Sequence, residues 1–224
     1  MKVFGLDPLD LAALLCSRVC HDVISPVGAI INGLEVLEEE KDEEMRGFAL
    51  DLIKKSAEQA SARLQFCRLA FGAAGSAGAS IDTGDAEKVA RGLFGGERTE
   101  LVWNIPHVLM PKNRVKLILN LCLIAAAAIP RGGIIEVTLT GTEDSGRITV
   151  AAKGTNAKLG AHLPSLLSGT PEQPPAGPQD IQAYYAGLVA GAANMTLTIA
   201  TDVDRVSIEA APLPAEAIAE SAAS

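Results

Sequence analysis

The stretch CHDVISPVGAI, residues 20–30, decides how this chain is read. Side chains three, four and seven positions apart share one face of a helix. Wound that way, the segment puts His21 with Ser17, Arg18, Ser25, Gly28 and Asn32 on a small, polar face. The opposite side carries Val19, Val23, Val27, Ile30, Leu34 and Leu37, an apolar stripe suited to a core. A histidine on a wet helix face is ordinarily just a surface residue. Two neighbours argue for more. Asp22 follows it directly, and Pro26 interrupts an otherwise unbroken helical pattern. Proline there removes the N–H that would bond the carbonyl of Asp22 and clashes with it, at a cost of about 3 kcal/mol. A carbonyl freed beside His21, with a local bend, is what a reactive position can use.

Working outward, Asp7 and Pro8 make a helix start, Asp as the cap and Pro at the first helical position. The helix is expected to run to about residue 40 on the ladder Leu9, Ala12, Cys16, Val19, Val23, Val27, Ile30, Leu34, Leu37. Three consecutive glutamates at 38–40 oppose the helix dipole, so fraying is expected there. A second helix, from about residue 43 to 71, shows a stricter ladder: Leu50, Ile53, Ala57, Ala60, Leu64, Cys67, Phe71. The short connection makes the pair an antiparallel hairpin. Seams of this length are more than one hairpin covers, and pairing with a second copy into a four-helix bundle would bury them.

The bounds are consistent with a globular protein of 224 residues, 48% hydrophobic with few aromatics. A net charge of −8 and the lack of a Lys/Arg run argue against nucleic acid or an anionic membrane as partner. No uninterrupted apolar run reaches about 18 residues and no signal-peptide core is seen, so a soluble, cytoplasmic protein is expected. Cys16, Cys20, Cys67 and Cys122 form no C-x-x-C pair and read as free thiols, and no metal site is expected.

The small-residue run at 72–80 reads as a linker. Beyond it the pattern predicts a helix over 82–93 and a strand over 101–103. A strongly apolar helix over 113–129 follows, stopped by Pro130, and then strands over 134–140 and 147–152. After a Pro/Gly-rich stretch with a short apolar piece at 163–167 come a helix over 179–192 and strands over 195–200 and 205–210. The Ala-rich end, 213–224, reads as a disordered tail.

His21, Asp22, Ser25 and Pro26 match, position by position, the phospho-accepting H-box of the dimerisation and histidine-phosphotransfer domain of sensor histidine kinases. The wider run LCSRVCHDVISPVGAIINGLEVL resembles ChpT-type histidine phosphotransferases of the alphaproteobacterial cell-cycle phosphorelay. The element order of the second half is similar to the α/β sandwich of the kinase ATP-binding (Bergerat) domain. The expected fold is therefore α+β. Residues 1–75 form a helical hairpin that dimerises into a four-helix bundle, 80–212 a degenerate ATPase-like domain, and 213–224 a tail.

The resemblance implies that His21 accepts a phosphoryl group and that Asp22 orients it. Ser17, Arg18, Ser25, Gly28 and Asn32 would meet a docked receiver domain. The implied donor is the receiver of a hybrid histidine kinase, and the acceptors are response-regulator receivers. Mg2+ would come with the receiver, and no cofactor is bound by this chain. The nucleotide site departs from the kinase pattern. Asn120 matches the first Asn of the kinase N-box, but Ile124 stands where the second, a usual Mg2+ ligand, belongs, and an aliphatic group cannot coordinate a hard cation. Ala152 and Asn156 replace the Asp and second Gly of the D-x-G-x-G motif, and Gly177 alone remains near the later glycine loop. A phosphotransferase without ATP is the expectation; an ATP-dependent kinase core and a non-enzymatic bundle are the alternatives. His107 and His162 show no convergent partners in sequence.

Overall fold

Asp7 accepts the amide of Leu9 through Oδ1 at 2.8 Å and opens the first helix, α1, Pro8–Glu39. This computed structural model describes residues 5–72, 79–96, 98–168, 171, 174–175 and 177–214. Most of the proposed linker and residues 215–224 of the proposed tail lie outside them. Asp42 starts α2, Glu43–Ala70, by accepting from the amides of Glu44 and Met45. The end of α1 is held rather than frayed. Arg46 of α2 donates to the carbonyls of Leu37 and Glu40, bringing a cation to the acidic C-terminus. The Glu40 carboxylate accepts from the amides of Asp42 and Lys41, which holds its pKa below the ordinary value.

The two helices meet only in part on the expected ladders, of which Ile53 and Ala60 lie in the seam. In α1 only Pro26 and Gly33 are buried, and in α2 the buried set is Ala49, Ser56, Ala60, Phe66 and Ala70. Small residues let the backbones approach: a Cβ on Gly33 would lie 2.6 Å from Ile53 and 3.3 Å from the carbonyl oxygen of Ala49. Much of the expected stripe lies open instead. Val27, Leu34, Leu50 and Leu64 are exposed, as are Ile24 (71%), Ile31 and Phe48 (61%). The apolar surface of α1 is thus divided between a narrow seam on α2 and a second, uncovered stripe. By length and composition α1 is also apolar enough to cross a membrane.

The described residues beyond the hairpin form a two-layer α/β sandwich. A mixed five-stranded sheet has the order β2-β4-β5-β7-β6. Its strands are β2 (Thr99–Asn104), β4 (Gly133–Thr140), β5 (Arg147–Lys153), β6 (Met195–Asp202) and β7 (Arg205–Pro212). Only β2 and β4 pair in parallel. The helices are α3 (Thr83–Phe94), α4 (Lys112–Ala128), α5 (Leu163–Leu167) and α6 (Pro178–Ala192). Alternation sets the layers: Ile135, Val137, Ile148, Val150, Val206 and Ile208 point into the core, while Glu136, Thr138, Thr149 and Glu209 lie between them on the outer face. Two short strands, β1 (Ser80–Asp82) and β3 (Leu109–Pro111), pair antiparallel beside this sheet. Three-residue strands carry too little periodicity to be read in advance.

The hairpin is not separate from the sandwich. Phe66 of α2 meets Phe94 of α3 edge-on, ring centroids 5.6 Å apart, and Phe71 packs on Tyr185 of α6 at 5.5 Å. The Tyr184 hydroxyl accepts the Leu6 amide. One apolar core therefore runs from the end of α2 through α3, α4 and α6 to the sheet.

Candidate functional site

His21 lies on the middle turns of α1, its side chain 73% exposed. Its Nδ1 faces Asp22 Oδ1 at 3.4 Å, a long contact that turns Nε2 to the far side of the ring. Asp22 is itself fixed. Arg18, one turn earlier, donates through Nε to Asp22 Oδ2 at 3.0 Å. Of the Arg18 side chain 17% is exposed, and of Asp22 26%. Arg18 thus leans on Asp22 rather than standing out beside His21. Ser17, Ser25 and Asn32 share the open face of α1 with His21. Gly28 is half-buried, and a Cβ built on it would meet no atom within 4 Å.

The Asp22 carbonyl, deprived of its helical donor by Pro26, has another. Arg63 Nη1 of α2 donates to it at 2.7 Å. Sequence reading found the orphaned carbonyl but not the residue that satisfies it. The register that pairs them exists only in the packed hairpin: with Gly33 set against Ala49, the segment around Ala60 comes opposite Asp22, and Arg63 is the nearest arginine. Arg18, Asp22 and Arg63 form one wall of a cleft of about 270 Å³ between the hairpin and the sandwich, closed on the other side by Leu93, Phe94 and Leu123. Cys67 also lines it; burial, then the Asp22 charge, pushes its thiol up to about 11.

Of the residues where a kinase would hold nucleotide, Asn120, Ile124 and Ala152 are packed as core. Asn120 and Ala152 are fully buried, Ile124 almost so, and Asn156 sits exposed in a positive-φ turn, φ 59°. The Asn120 amide donates to the carbonyls of Ala70 and Lys116 and accepts from Gln182 Nε2. Its polar atoms are spent on joining α2, α4 and α6, so Asn120, with buried Ile124 and Ala152, does not fit a nucleotide–metal complex.

The other two histidines do have partners, contrary to the sequence expectation. His107 Nε2 lies 2.8 Å from Glu87 Oε2, and His162 Nε2 lies 2.6 Å from Asp180 Oδ1. Both contacts join residues far apart in sequence, which local reading cannot pair. Arg91 completes the first set, 2.7 Å from Glu87 Oε1.

Residues 83–205 match the histidine phosphotransferase C-terminal domain family. The protein phosphotransferase ChpT of Brucella abortus (strain 2308) is 51% identical over 194 residues, which is 87% of this chain and 91% of that protein. A bacterial phosphotransferase of known structure superposes with a TM-score of 0.83 at 46% identity, covering 93% of this chain and all of that one.

Proposed function

Because the chain belongs to the histidine phosphotransferase family, we propose that His21 carries the phosphoryl group this protein phosphotransferase moves between receiver-domain aspartates. A transfer between two folded proteins needs a nucleophile that a partner surface can reach. The observation that carries the reading is the exposed imidazole of His21 with its Nδ1 toward the Asp22 carboxylate, which Arg18 holds while Arg63 holds the backbone carbonyl of the same residue.

The chemistry follows from that arrangement. Asp22 favours the tautomer with the proton on Nδ1, leaving the Nε2 lone pair as nucleophile. Nε2 attacks the phosphorus of an aspartyl phosphate; the N–P bond forms as the acyl O–P bond breaks, and the donor carboxylate leaves with the electron pair. The imidazole becomes cationic, and Asp22 offsets that charge. An acceptor aspartate then attacks the same phosphorus and His21 returns to its neutral form. Most of the work is positioning and charge stabilisation. Mg2+ belongs to the receiver's acidic pocket, so no cofactor of this chain takes part. Ser17, Ser25, Gly28 and Asn32 form the face on which a receiver helix rests, with Arg18 beneath it. The donor is the receiver of a hybrid histidine kinase, and response-regulator receivers accept.

The uncovered stripe on the hairpin supports a homodimer in which two hairpins close a four-helix bundle. The same stripe accounts for the apolar composition of α1 without a membrane. A span would bury Arg18 and Asp22 in hydrocarbon, at about 2.5–3.5 kcal/mol for each charge. We place the protein in the cytoplasm, where receivers are met. The core packing of Asn120, Ile124 and Ala152 speaks against an ATP-dependent kinase.

The test is transfer of radiolabelled phosphate. Acid-labile label should reach the wild type from a phosphorylated receiver and not from ATP with Mg2+, and His21→Ala should stay unlabelled. Label from ATP would make the protein a kinase. A labelled His21→Ala protein would place the carrier elsewhere, and no label from either source would leave a scaffold.

A further inference from the structure

Resting on the reading of His21 as the phosphoryl carrier, we propose that Arg63 is a positioning residue for the transfer: it caps the backbone carbonyl that Pro26 orphans and thereby holds Asp22 against His21.

Three observations converge on it. Pro26 has no N–H, so the Asp22 carbonyl lacks the intrahelical bond that residue 26 would otherwise donate. Pro26 is buried against the hairpin seam, so water does not have free access from that side. Arg63 crosses from α2 and donates Nη1 to this carbonyl at 2.7 Å, a short, charge-assisted bond. Arg18 meanwhile fixes the other end of the same residue, its carboxylate, at 3.0 Å. Asp22 is gripped at backbone and side chain by guanidinium groups from two helices, and its remaining carboxylate oxygen is the one 3.4 Å from Nδ1 of His21.

A planar guanidinium is suited to this place because it stays charged and offers several donors in a fixed plane. The proline gap alone would let the turn that carries Asp22 and His21 move. Arg63 closes the gap from α2, so the orientation of the imidazole depends on the register of the hairpin. Arg63 touches neither phosphorus nor imidazole; it acts through Asp22.

The experiment is a cycle of Arg63→Ala and Pro26→Ala, read by single-turnover transfer from a phosphorylated receiver and by the imidazole nitrogen shifts of His21 in the free protein. Arg63→Ala should slow transfer by about tenfold or more, as loss of a charged hydrogen bond implies, and shift the His21 tautomer balance away from Nδ1–H. Arg63→Lys should recover part of both. In the Pro26→Ala background the helix supplies its own donor to Asp22, so Arg63→Ala should cost much less than it does beside Pro26. Equal costs in the two backgrounds, or an unchanged tautomer balance in a folded Arg63→Ala protein, would overturn the assignment. Thermal unfolding of each variant separates lost folding from lost positioning, and the tautomer readout in Arg63→Lys stands if Arg63→Ala does not fold. Failure of His21→Ala to abolish labelling would instead remove the reading beneath it.

Discussion

Gln182 of α6 donates through Nε2 to Asn120 Oδ1 of α4 at 2.6 Å, both side chains deep in the core. The Asn120 amide group continues the chain to the carbonyl of Ala70 at the end of α2. This network ties the hairpin to the sandwich through the residue that matches the first Asn of the kinase N-box. Asn120→Leu conserves bulk but strips partners from Gln182 and Ala70. It should cost about 2–4 kcal/mol of stability in urea unfolding, since each buried polar group left unpaired costs about 1–3 kcal/mol.

Two glycines of α1 should respond in opposite directions. A Cβ at Gly33 meets Ile53 at 2.6 Å, so Gly33→Ala should force the helices apart and destabilise by about 1–3 kcal/mol. Gly28 faces open space, and Gly28→Ala should stabilise the helix by up to about 1 kcal/mol. Thermal melts of the two variants check both signs.

Ile31 belongs to the uncovered stripe of α1. On the proposed four-helix bundle, Ile31→Asp should leave the fold of the single chain unchanged, with the wild type dimeric and the variant monomeric in sedimentation equilibrium. The charge would otherwise be desolvated in the bundle. A variant that stays as dimeric as wild type would mean that the bundle does not form on this stripe.

Glu87 titrates below its ordinary value. Burial raises its pKa, but the hydrogen bonds from His107 and Arg91 outweigh that and lower it. A folded pKa below the unfolded one contributes stability that is present above the unfolded value, 4.5, and is lost as the pH falls through the folded value. Glu87→Gln should therefore be less stable than wild type at pH 7, by up to about 1 kcal/mol. The difference should shrink steadily as the pH is lowered below 4.5. A gap that grows on acidification would reverse the sign.

Local rules carried the reading of the chain a long way. The Asp7-Pro8 and Asp42 helix starts, the apolar α4 stopped by Pro130, and the alternating strands from β4 to β7 are written in spacing and caps, which depend on neighbours in sequence. The short helix α5 was legible as an apolar piece among prolines and glycines. The seam between α1 and α2 was not. Periodicity marks every apolar position alike, and it cannot say which of two stripes faces the partner helix and which stays open. Small residues such as Gly33 and Ala49 make the contact because close approach needs little volume, so Val27, Leu34, Leu50 and Leu64 of the ladders are left outside.

The same division runs through the site. Sequence by itself determined the helix face of the histidine we propose as the carrier, its acidic neighbour and the carbonyl left bare by Pro26, because a missing N–H is a covalent fact and a helix face follows from spacing. Only the tertiary structure decided what meets that carbonyl, that Arg18 leans on Asp22, that Asn120 is a core fastener, and that His107 and His162 each find a carboxylate. Those are contacts between residues distant in the chain, and their geometry exists only once α2 and the sandwich are packed against α1.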